Sequence, residues 1–127
     1  MTDEEEIRHL LAQYVQCADS GDARGRSDLF AEDAVYLPSS GRYVGRANIY
    51  QAIADRLAAQ PGRRTKHVCA NSLISIDGDA AEAATDFVLY TRQGEDAWQI
   101  NQAGRYFDRF VRRDGRWWYA ENHPVQI

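Results

Sequence analysis

The sequence predicts a single α+β domain, spanning residues 1–127, in which a curved antiparallel sheet wraps around three N-terminal helices to form a cone. The first half of the chain repeats apolar residues at helical spacing, whereas the second half is rich in β-branched and aromatic residues between turn signals. Helices that precede an antiparallel meander exclude a doubly wound parallel sheet. The length of 127 residues, 44% of them hydrophobic, suits one domain with one core.

The charge pattern excludes several functional classes. The net charge is −4 and the basic residues are scattered, which argues against a nucleic-acid surface. The acidic N-terminus is unlike a secretory signal, and no apolar run is long enough to span a bilayer, so we expect a cytoplasmic protein. Cys17 and Cys69 stand alone, and we expect both to be buried rather than to form a metal or redox site.

The first helix is predicted over about residues 3–20. Thr2 and Glu5 form a Thr-x-x-Glu capping box at its start. Gly21 can take the left-handed conformation that ends it, and Asp22 can cap the segment that follows. The apolar positions of one helical face are Ile7, Leu10, Leu11, Tyr14, Val15 and Ala18.

The next segments alternate between short helices and short strands. A second helix is predicted over about residues 23–30, and a strand over 34–37. The turn at 38–41 and a brief return strand at 42–45 then make a hairpin. A third helix is predicted over about 47–59, because its apolar positions again recur at helical spacing.

Four strands are predicted in the second half, over residues 67–76, 81–91, 98–112 and 117–121. Three hairpin signals join them, at Asp77-Gly78-Asp79, Gln93-Gly94-Glu95 and Asp114-Gly115. A sheet of this kind that wraps the helices leaves a pocket between itself and the first helix. The helices can cover only one of its two aromatic-rich faces, so we expect a homodimer or a homotrimer.

Three residues are candidates for chemistry: Tyr14, Asp19 and His67. Tyr14 lies within about 20° of the direction of Ile7, so it faces the interior. Asp19 opposes the helix dipole at a cost of about 0.3–1 kcal/mol, so another interaction is expected to favour it. His67 begins a strand and by alternation shares a face with Asn71. The alternatives from the residues alone are a core tyrosine, a turn-forming aspartate and a structural histidine.

Six stretches, in order, span nearly the whole chain and resemble the SnoaL-like branch of the nuclear transport factor 2-like superfamily. They are Ile7–Tyr14, Asp19–Asp22, Leu29–Tyr36, His67–Asn71, Ala103–Phe110 and Asp114–Trp117. The resemblance implies the cone-shaped fold. Because that fold hosts dehydratases, isomerases, cyclases, hydrolases and non-enzymatic domains, the resemblance does not by itself determine function.

The resemblance also implies roles for the three candidates. In bile-acid 7α-dehydratase, scytalone dehydratase and a dehydrochlorinase, which are members of the superfamily, an Asp near the end of the first helix pairs with a His at the start of a strand. Asp19 and His67 match these positions, and Tyr14 matches a tyrosine near the site. An aspartate that accepts one imidazole N–H fixes the tautomer and stabilises the imidazolium that forms, so His67 would act as a base.

The sequence also departs from two patterns of the superfamily. Ketosteroid isomerase uses a carboxylate base in the strand just before a Pro, and here Leu37 precedes Pro38. Scytalone dehydratase uses a second pocket histidine on a later strand, and no histidine lies between His67 and His123. Neither mechanism is therefore expected as a direct copy.

The sequence predicts a cofactor-independent lyase or isomerase, resembling a dehydratase, that acts on a small, cyclic, hydrophobic substrate. His67 would be the base, Asp19 would orient it, and Tyr14 would donate a hydrogen bond to the substrate oxygen. No metal site is expected, because the histidines are isolated. The alternatives are a non-catalytic small-ligand-binding or assembly domain, or a polyketide cyclase-type enzyme.

The predicted substrate-binding residues lie on the later strands. Their direction depends on the strand register, because a shift of one residue exchanges the two faces of a strand. They are Asn71, Phe87, Tyr90, Asn101, Arg105 and Tyr106.

Overall fold

The computed structural model describes all residues from Met1 to Ile127 and contains three helices and six strands. The helices are α1 (Asp3–Asp19), α2 (Ala23–Ser27) and α3 (Arg46–Ala58). The strands are β1 (Phe30–Tyr36), β2 (Tyr43–Val44), β3 (Arg63–Asp77), β4 (Ala80–Gln93), β5 (Gln99–Arg113) and β6 (Arg116–Gln126). None of the helices is both long enough and apolar enough to cross a lipid bilayer.

The boundaries of α1 follow the predicted capping residues. The Thr2 hydroxyl accepts the Glu5 backbone N–H at 3.1 Å, and the Glu5 carboxylate accepts the Thr2 backbone N–H at 2.8 Å. Gly21 follows the helix with a φ of +68°, a conformation that costs glycine little. Asp22 caps α2 by accepting the Gly25 N–H at 2.8 Å. Local chemistry therefore decides where both helices begin.

The second helix is shorter than the sequence predicts, and the first strand begins earlier. The pattern predicted a helix over 23–30, but α2 ends at Ser27 and Phe30 already belongs to β1. The Tyr119 N–H donates to the Leu29 carbonyl at 2.9 Å, and Phe30 is paired with Tyr119 of β6. This tertiary pairing overrides the helical spacing of the apolar residues.

The six strands form one curved, unclosed sheet in the order β2-β1-β6-β5-β4-β3. The last four strands make the antiparallel meander that the sequence predicts, and β1 and β2 make the predicted hairpin. The α+β fold class is thus confirmed. The sheet is mixed rather than purely antiparallel, because β1 runs parallel to β6. That pairing joins the N-terminal hairpin to the meander and extends the sheet beyond the four predicted strands.

The core lies between the inner face of the sheet and the helices. Helix α1 packs against β3 and β6, and α3 packs against β1 and β2. Gly104 on β5 permits a close approach in this layer, because a Cβ there would overlap both the Val125 carbonyl oxygen and the Phe87 ring. The Phe87 ring consequently lies flat over β5, where it stacks on Tyr106 with ring centroids 4.4 Å apart.

Candidate active site

The wide end of the cone holds a cavity of about 1240 Å³. Every helix and every strand contributes lining residues, so the whole fold defines its shape. Tyr14, Asp19 and His67 all line it, together with Phe87 and Tyr106. The cavity is large enough for a small organic molecule, since such sites commonly enclose about 300–1,000 Å³.

The structure brings the side chains of Asp19 and His67 into direct contact in this cavity. The His67 Nδ1 lies 2.6 Å from the Asp19 Oδ1, and only 14% and 13% of the two side chains are exposed. The His67 backbone N–H also donates to the Asp19 Oδ2 at 3.0 Å, and the Thr65 hydroxyl donates to Oδ1 at 3.0 Å. Three donors therefore hold one carboxylate at the end of α1 and offset the unfavourable helix dipole.

These contacts decide the charge state of Asp19 and the tautomer of its partner. Burial acts to raise the pKa of Asp19, but the hydrogen bonds from the His67 ring, the His67 backbone and Thr65 hold that pKa below its usual value. An ionised carboxylate only accepts hydrogen bonds, so the His67 Nδ1 carries the proton. The Nε2 of a neutral His67 then carries a free lone pair, and His67 lines the cavity.

Tyr14 occupies the predicted inward position, and its hydroxyl is engaged by two other side chains. Its hydroxyl donates to the Asn122 Oδ1 at 2.8 Å and accepts from the Arg26 Nη2 at 2.6 Å. A phenol has one proton to donate, and that proton is engaged. Burial also raises the pKa of Tyr14, so the hydroxyl remains protonated. The Tyr14 hydroxyl, which the sequence analysis expected to donate to a substrate oxygen, thus donates to Asn122 and accepts from Arg26 in this structure.

Arg26 is a charged cavity-lining residue that the sequence pattern did not predict. Its Nη2 also donates to the Tyr36 hydroxyl at 3.1 Å, and its guanidinium lies over the rings of Tyr14 and Tyr36. Its Nε is buried without a hydrogen-bond partner, and no carboxylate pairs with it. The proton of the Tyr36 hydroxyl likewise has no acceptor. Arg26 and Tyr36 both line the cavity, and each keeps a donor without a partner, although the Arg26 Nε is itself buried.

Neither residue had a usable signal in the sequence. Arg26 lies in a five-residue helix between polar neighbours, where periodicity does not distinguish an inward side from an outward one. Tyr36 was recognised as a strand residue, and its hydroxyl partner lies on a different element.

Among the predicted substrate-binding residues, Phe87 and Tyr106 line the cavity. Tyr90, Asn101 and Arg105 do not, because the inward positions are the odd residues of β4 up to Leu89 and the even residues of β5. Arg105 instead pairs with Asp86 on the outer face, with its Nε 2.6 Å from Oδ1. The predicted set mixed residues of both strand faces, and Gln102 lines the cavity where Asn101 was expected.

Asn71 is displaced by an irregularity in β3. The pairing of β3 with β4 shifts register between Ala70 and Leu73, and Asn71 has a φ of +57°. Strict alternation would have kept Asn71 and Leu73 on the face of His67. The bulge turns both outward, where Leu73 is 77% exposed and the Asn71 amide lies 3.5 Å from Asp86.

The network behind Tyr14 ends in a buried carboxyl group. The Asn122 Nδ2 donates to the Asp108 Oδ1 at 2.6 Å, while the Asp108 Oδ2 is buried without a partner. Burial raises the pKa of Asp108 to about 7, although the Asn122 hydrogen bond acts in the opposite direction. No group of three or more His, Cys, Asp or Glu side chains is placed to hold a metal ion.

Asp108 gives the fold a pH dependence that can be measured. The folded protein holds this proton more tightly than the unfolded chain, where an aspartate titrates near about 3.9. The contribution of Asp108 to the free energy of unfolding should therefore be fully present at pH 4 and below, and should be lost as the pH rises to about 7. The slope is at most about 1.4 kcal/mol per pH unit. The Asp19 pKa is lowered instead, so its contribution is lost only at more acidic pH.

Thermal unfolding of the wild type and of Asp108→Asn between pH 4 and 8 tests this expectation. The substitution should flatten the dependence, whereas Asp96→Asn in an exposed turn should leave it intact. Equal slopes for the wild type and Asp108→Asn would contradict the assignment.

Comparison with known proteins identifies a family that the sequence matches and solved structures that share the fold. The sequence matches the family of SnoaL-like domains over residues 1–123. No curated protein is significantly similar to the chain in sequence.

Solved structures that share its fold include the following three. An NTF2-like protein with a cystatin-like fold from Novosphingobium aromaticivorans is 28% identical, with 98% of this chain and 82% of that chain covered and a TM-score of 0.83. A protein from the same organism, provisionally described as a scytalone dehydratase, is 20% identical, with 98% and 83% covered and a TM-score of 0.84. A protein from Catenulispora acidiphila in complex with S-DNPA is 20% identical, with 97% and 92% covered and a TM-score of 0.85.

Proposed function

This chain belongs to the SnoaL-like domain family, and we propose that it is a cofactor-independent lyase or isomerase of the dehydratase type. The observation that carries the proposal is the Asp19–His67 contact of 2.6 Å at the wall of a cavity that could hold a small cyclic molecule. An oriented histidine beside an ionised carboxylate is suited to remove a proton from carbon. Phe87 and Tyr106 supply an apolar surface for the body of the substrate.

In the proposed reaction, the His67 Nε2 removes a proton from the carbon next to a substrate carbonyl. The electron pair of that C–H bond moves toward the carbonyl, and Arg26 and Tyr36 donate hydrogen bonds to the oxygen as its charge increases. The electrons return to form a carbon–carbon double bond as the bond to a hydroxyl group on the next carbon breaks. The imidazolium, stabilised by Asp19, returns its proton to the leaving hydroxide, so the product is an enone and one water.

Tyr14 supports this reaction indirectly. Its hydroxyl holds the Arg26 guanidinium at 2.6 Å and is itself held by Asn122. Arg26 donates to Tyr14, and Tyr14 in turn donates to Asn122. Because these hydrogen bonds are linked, Arg26 has little freedom to turn away from the cavity. Tyr14 is therefore a positioning residue in this proposal.

A panel of cyclic β-hydroxy ketones tests the proposed function. Loss of water would appear as the absorption of a conjugated enone and as a product mass lower by one water. We expect turnover of at least one panel member by the wild type and none by a heat-denatured sample. A panel whose members bind in the cavity without any chemical change would contradict the proposal.

That second outcome would favour a non-catalytic ligand-binding domain. The observation that supports this alternative is the Catenulispora acidiphila structure, in which a protein of the same fold is in complex with S-DNPA. In that case Asp19 and His67 would form only a structural hydrogen bond. Binding measured by calorimetry, with no product after prolonged incubation, distinguishes the two functions.

The outer face of the sheet supports the proposal of a homodimer or a homotrimer. Several large apolar side chains on this side are exposed, among them Val68, Leu73 and Phe107. Exposed apolar side chains that cluster on one face are commonly buried against a partner. We expect light scattering to give two or three times the 14.4 kDa of one chain at micromolar concentration. The mass of a single chain would contradict the proposal.

A further inference from the structure

The arginine side chains of this protein divide into two groups. Most are engaged with a carboxylate, a carbonyl or hydroxyl oxygen, or an aromatic ring. Four arginines have no such partner, although the chain as a whole carries more acidic than basic residues. These four are Arg42, Arg56, Arg63 and Arg64, and every one of them lines the cavity that contains His67.

Carboxylates do not balance this charge within the cavity. Asp19 and Asp55 are its only acidic lining residues. Asp19 is engaged by His67 and Thr65, and Asp55 accepts a hydrogen bond from the Gln51 amide at 2.7 Å. The cavity of an acidic protein is therefore strongly positive, and its field should draw in anions.

Arg56 and Arg63 come together for a local reason. Arg56 lies in the last turn of α3, and the chain then turns through Gly62, with a φ of +78°, into the first residue of β3, which is Arg63. The two side chains flank one short turn. Burial lowers the pKa of Arg63, and the like charge of Arg56 lowers it further, as expected for two neighbouring cations with no anion between them.

The position of Arg63 connects this pair to the site of chemistry. Arg63, Thr65 and His67 alternate along β3 with the same partly buried pattern, so their side chains share the inner face. At about 3.3 Å per residue, the Cα atoms of Arg63 and His67 are roughly 13 Å apart. A small organic molecule that spans part of this distance can thus place one end between the arginine side chains and another part beside the histidine.

We propose that the natural ligand carries an anionic oxygen group, a carboxylate or a phosphate, and that Arg56 and Arg63 bind this group at the mouth of the cavity. Guanidinium groups match both anions, because their parallel N–H donors can form two hydrogen bonds to one group. Arg42 and Arg64 extend the positive rim and attract the anion without the same paired geometry. This inference deepens the proposed function and rests on it for the placement of the substrate, but the anion site itself can be tested by binding alone.

Three probes with the same aromatic body test the inference: 1-naphthoate, 1-naphthyl phosphate and neutral 1-naphthamide. Calorimetry on the wild type should show that at least one anion binds roughly 10- to 100-fold more tightly than the amide, the usual range for charge-assisted hydrogen bonds. Which anion binds more tightly distinguishes a carboxylate ligand from a phosphate ligand. Equal or absent binding of the anions relative to the amide would overturn the proposal.

The double variant Arg56→Gln/Arg63→Gln should lose this preference for anions while keeping its affinity for the amide. The matched control, Arg8→Gln/Arg109→Gln, removes the same charge from exposed positions outside the cavity and should keep the preference. A preference that persists in the first variant, or that disappears equally in both, would overturn the assignment to this pair. If the first variant does not fold, a salt titration of the wild type serves instead, because added salt should weaken binding of the anions but not of the amide.

These results can be separated from those on catalysis. Selective binding of the anions without turnover of any hydroxylated analogue would leave the anion site in place and count against the lyase. Turnover of neutral cyclic hydroxy ketones by a wild type that shows no preference for the anionic probes would leave the lyase in place and overturn the anion site.

Discussion

Replacement of His67 by alanine is expected to lower the turnover of a substrate that the protein dehydrates by roughly 10²–10⁴-fold, the usual contribution of a positioned general base. The imidazole is the only cavity-lining group whose free nitrogen is oriented by an ionised carboxylate. Its removal leaves the cavity and the donors Arg26 and Tyr36 in place. The loss should therefore fall on kcat, while binding of a substrate analogue changes little. Steady-state kinetics together with calorimetry of the analogue make the measurement.

The control for this variant is His9→Ala, because His9 is an exposed residue on the opposite side of α1. Both variants should give the far-ultraviolet circular dichroism spectrum of the wild type. Wild-type turnover by a folded His67→Ala protein would remove His67 from the mechanism.

Replacement of Asp19 by asparagine has the second-largest expected effect, a loss of roughly 10²–10⁴-fold in kcat. An amide at this position does not stabilise the imidazolium that forms when His67 accepts a proton. The amide can also donate to the His67 Nδ1, which would place the ring proton on Nε2, where the base is needed. Because the two residues act as a unit, the double variant Asp19→Asn/His67→Ala should be little slower than His67→Ala alone.

Asp55→Asn is the matched control, since Asp55 also lines the cavity and the substitution makes the same change in charge. It should retain kcat within a small factor of the wild type. A similar loss in Asp19→Asn and Asp55→Asn would mean that the general charge of the cavity, rather than the contact with His67, supports the reaction. Additive losses in the double variant would likewise count against a shared role.

Local signals in the sequence located the N-terminal part of the site. The capping box and Gly21 mark the two ends of α1. The geometry of a regular helix between these ends then determines the direction of Tyr14 and places Asp19 in the last turn. His67 was predicted as the first residue of a strand, and the structure extends that strand four residues back to Arg63 without changing the alternation of side chains. These inferences need only the geometry of one element at a time.

The parts that the sequence did not predict depend on contacts between elements. After the bulge at Asn71, side chains of β3 point to the opposite side of the sheet from the one that strict alternation predicts. No local sequence pattern predicts this bulge. The phase of β4 and β5 is set by pairing and by Gly104, so Tyr90, Asn101 and Arg105 were expected on the wrong face. The hydrogen bond of Arg26 to Tyr14 joins two helices, and no pattern within either helix predicts it.

Proton removal from carbon by His67 is the central claim, and hydrogen–deuterium exchange tests it whatever the leaving group of the natural substrate. Cyclic ketones that bind in the cavity but have no group to eliminate can be incubated with the protein in deuterated water and followed by proton nuclear magnetic resonance. If His67 is the base, the wild type should speed the exchange of the C–H protons next to the carbonyl and His67→Ala should not. Exchange at the same rate with both proteins, or no faster than in buffer for ketones shown to bind, would contradict this role of His67.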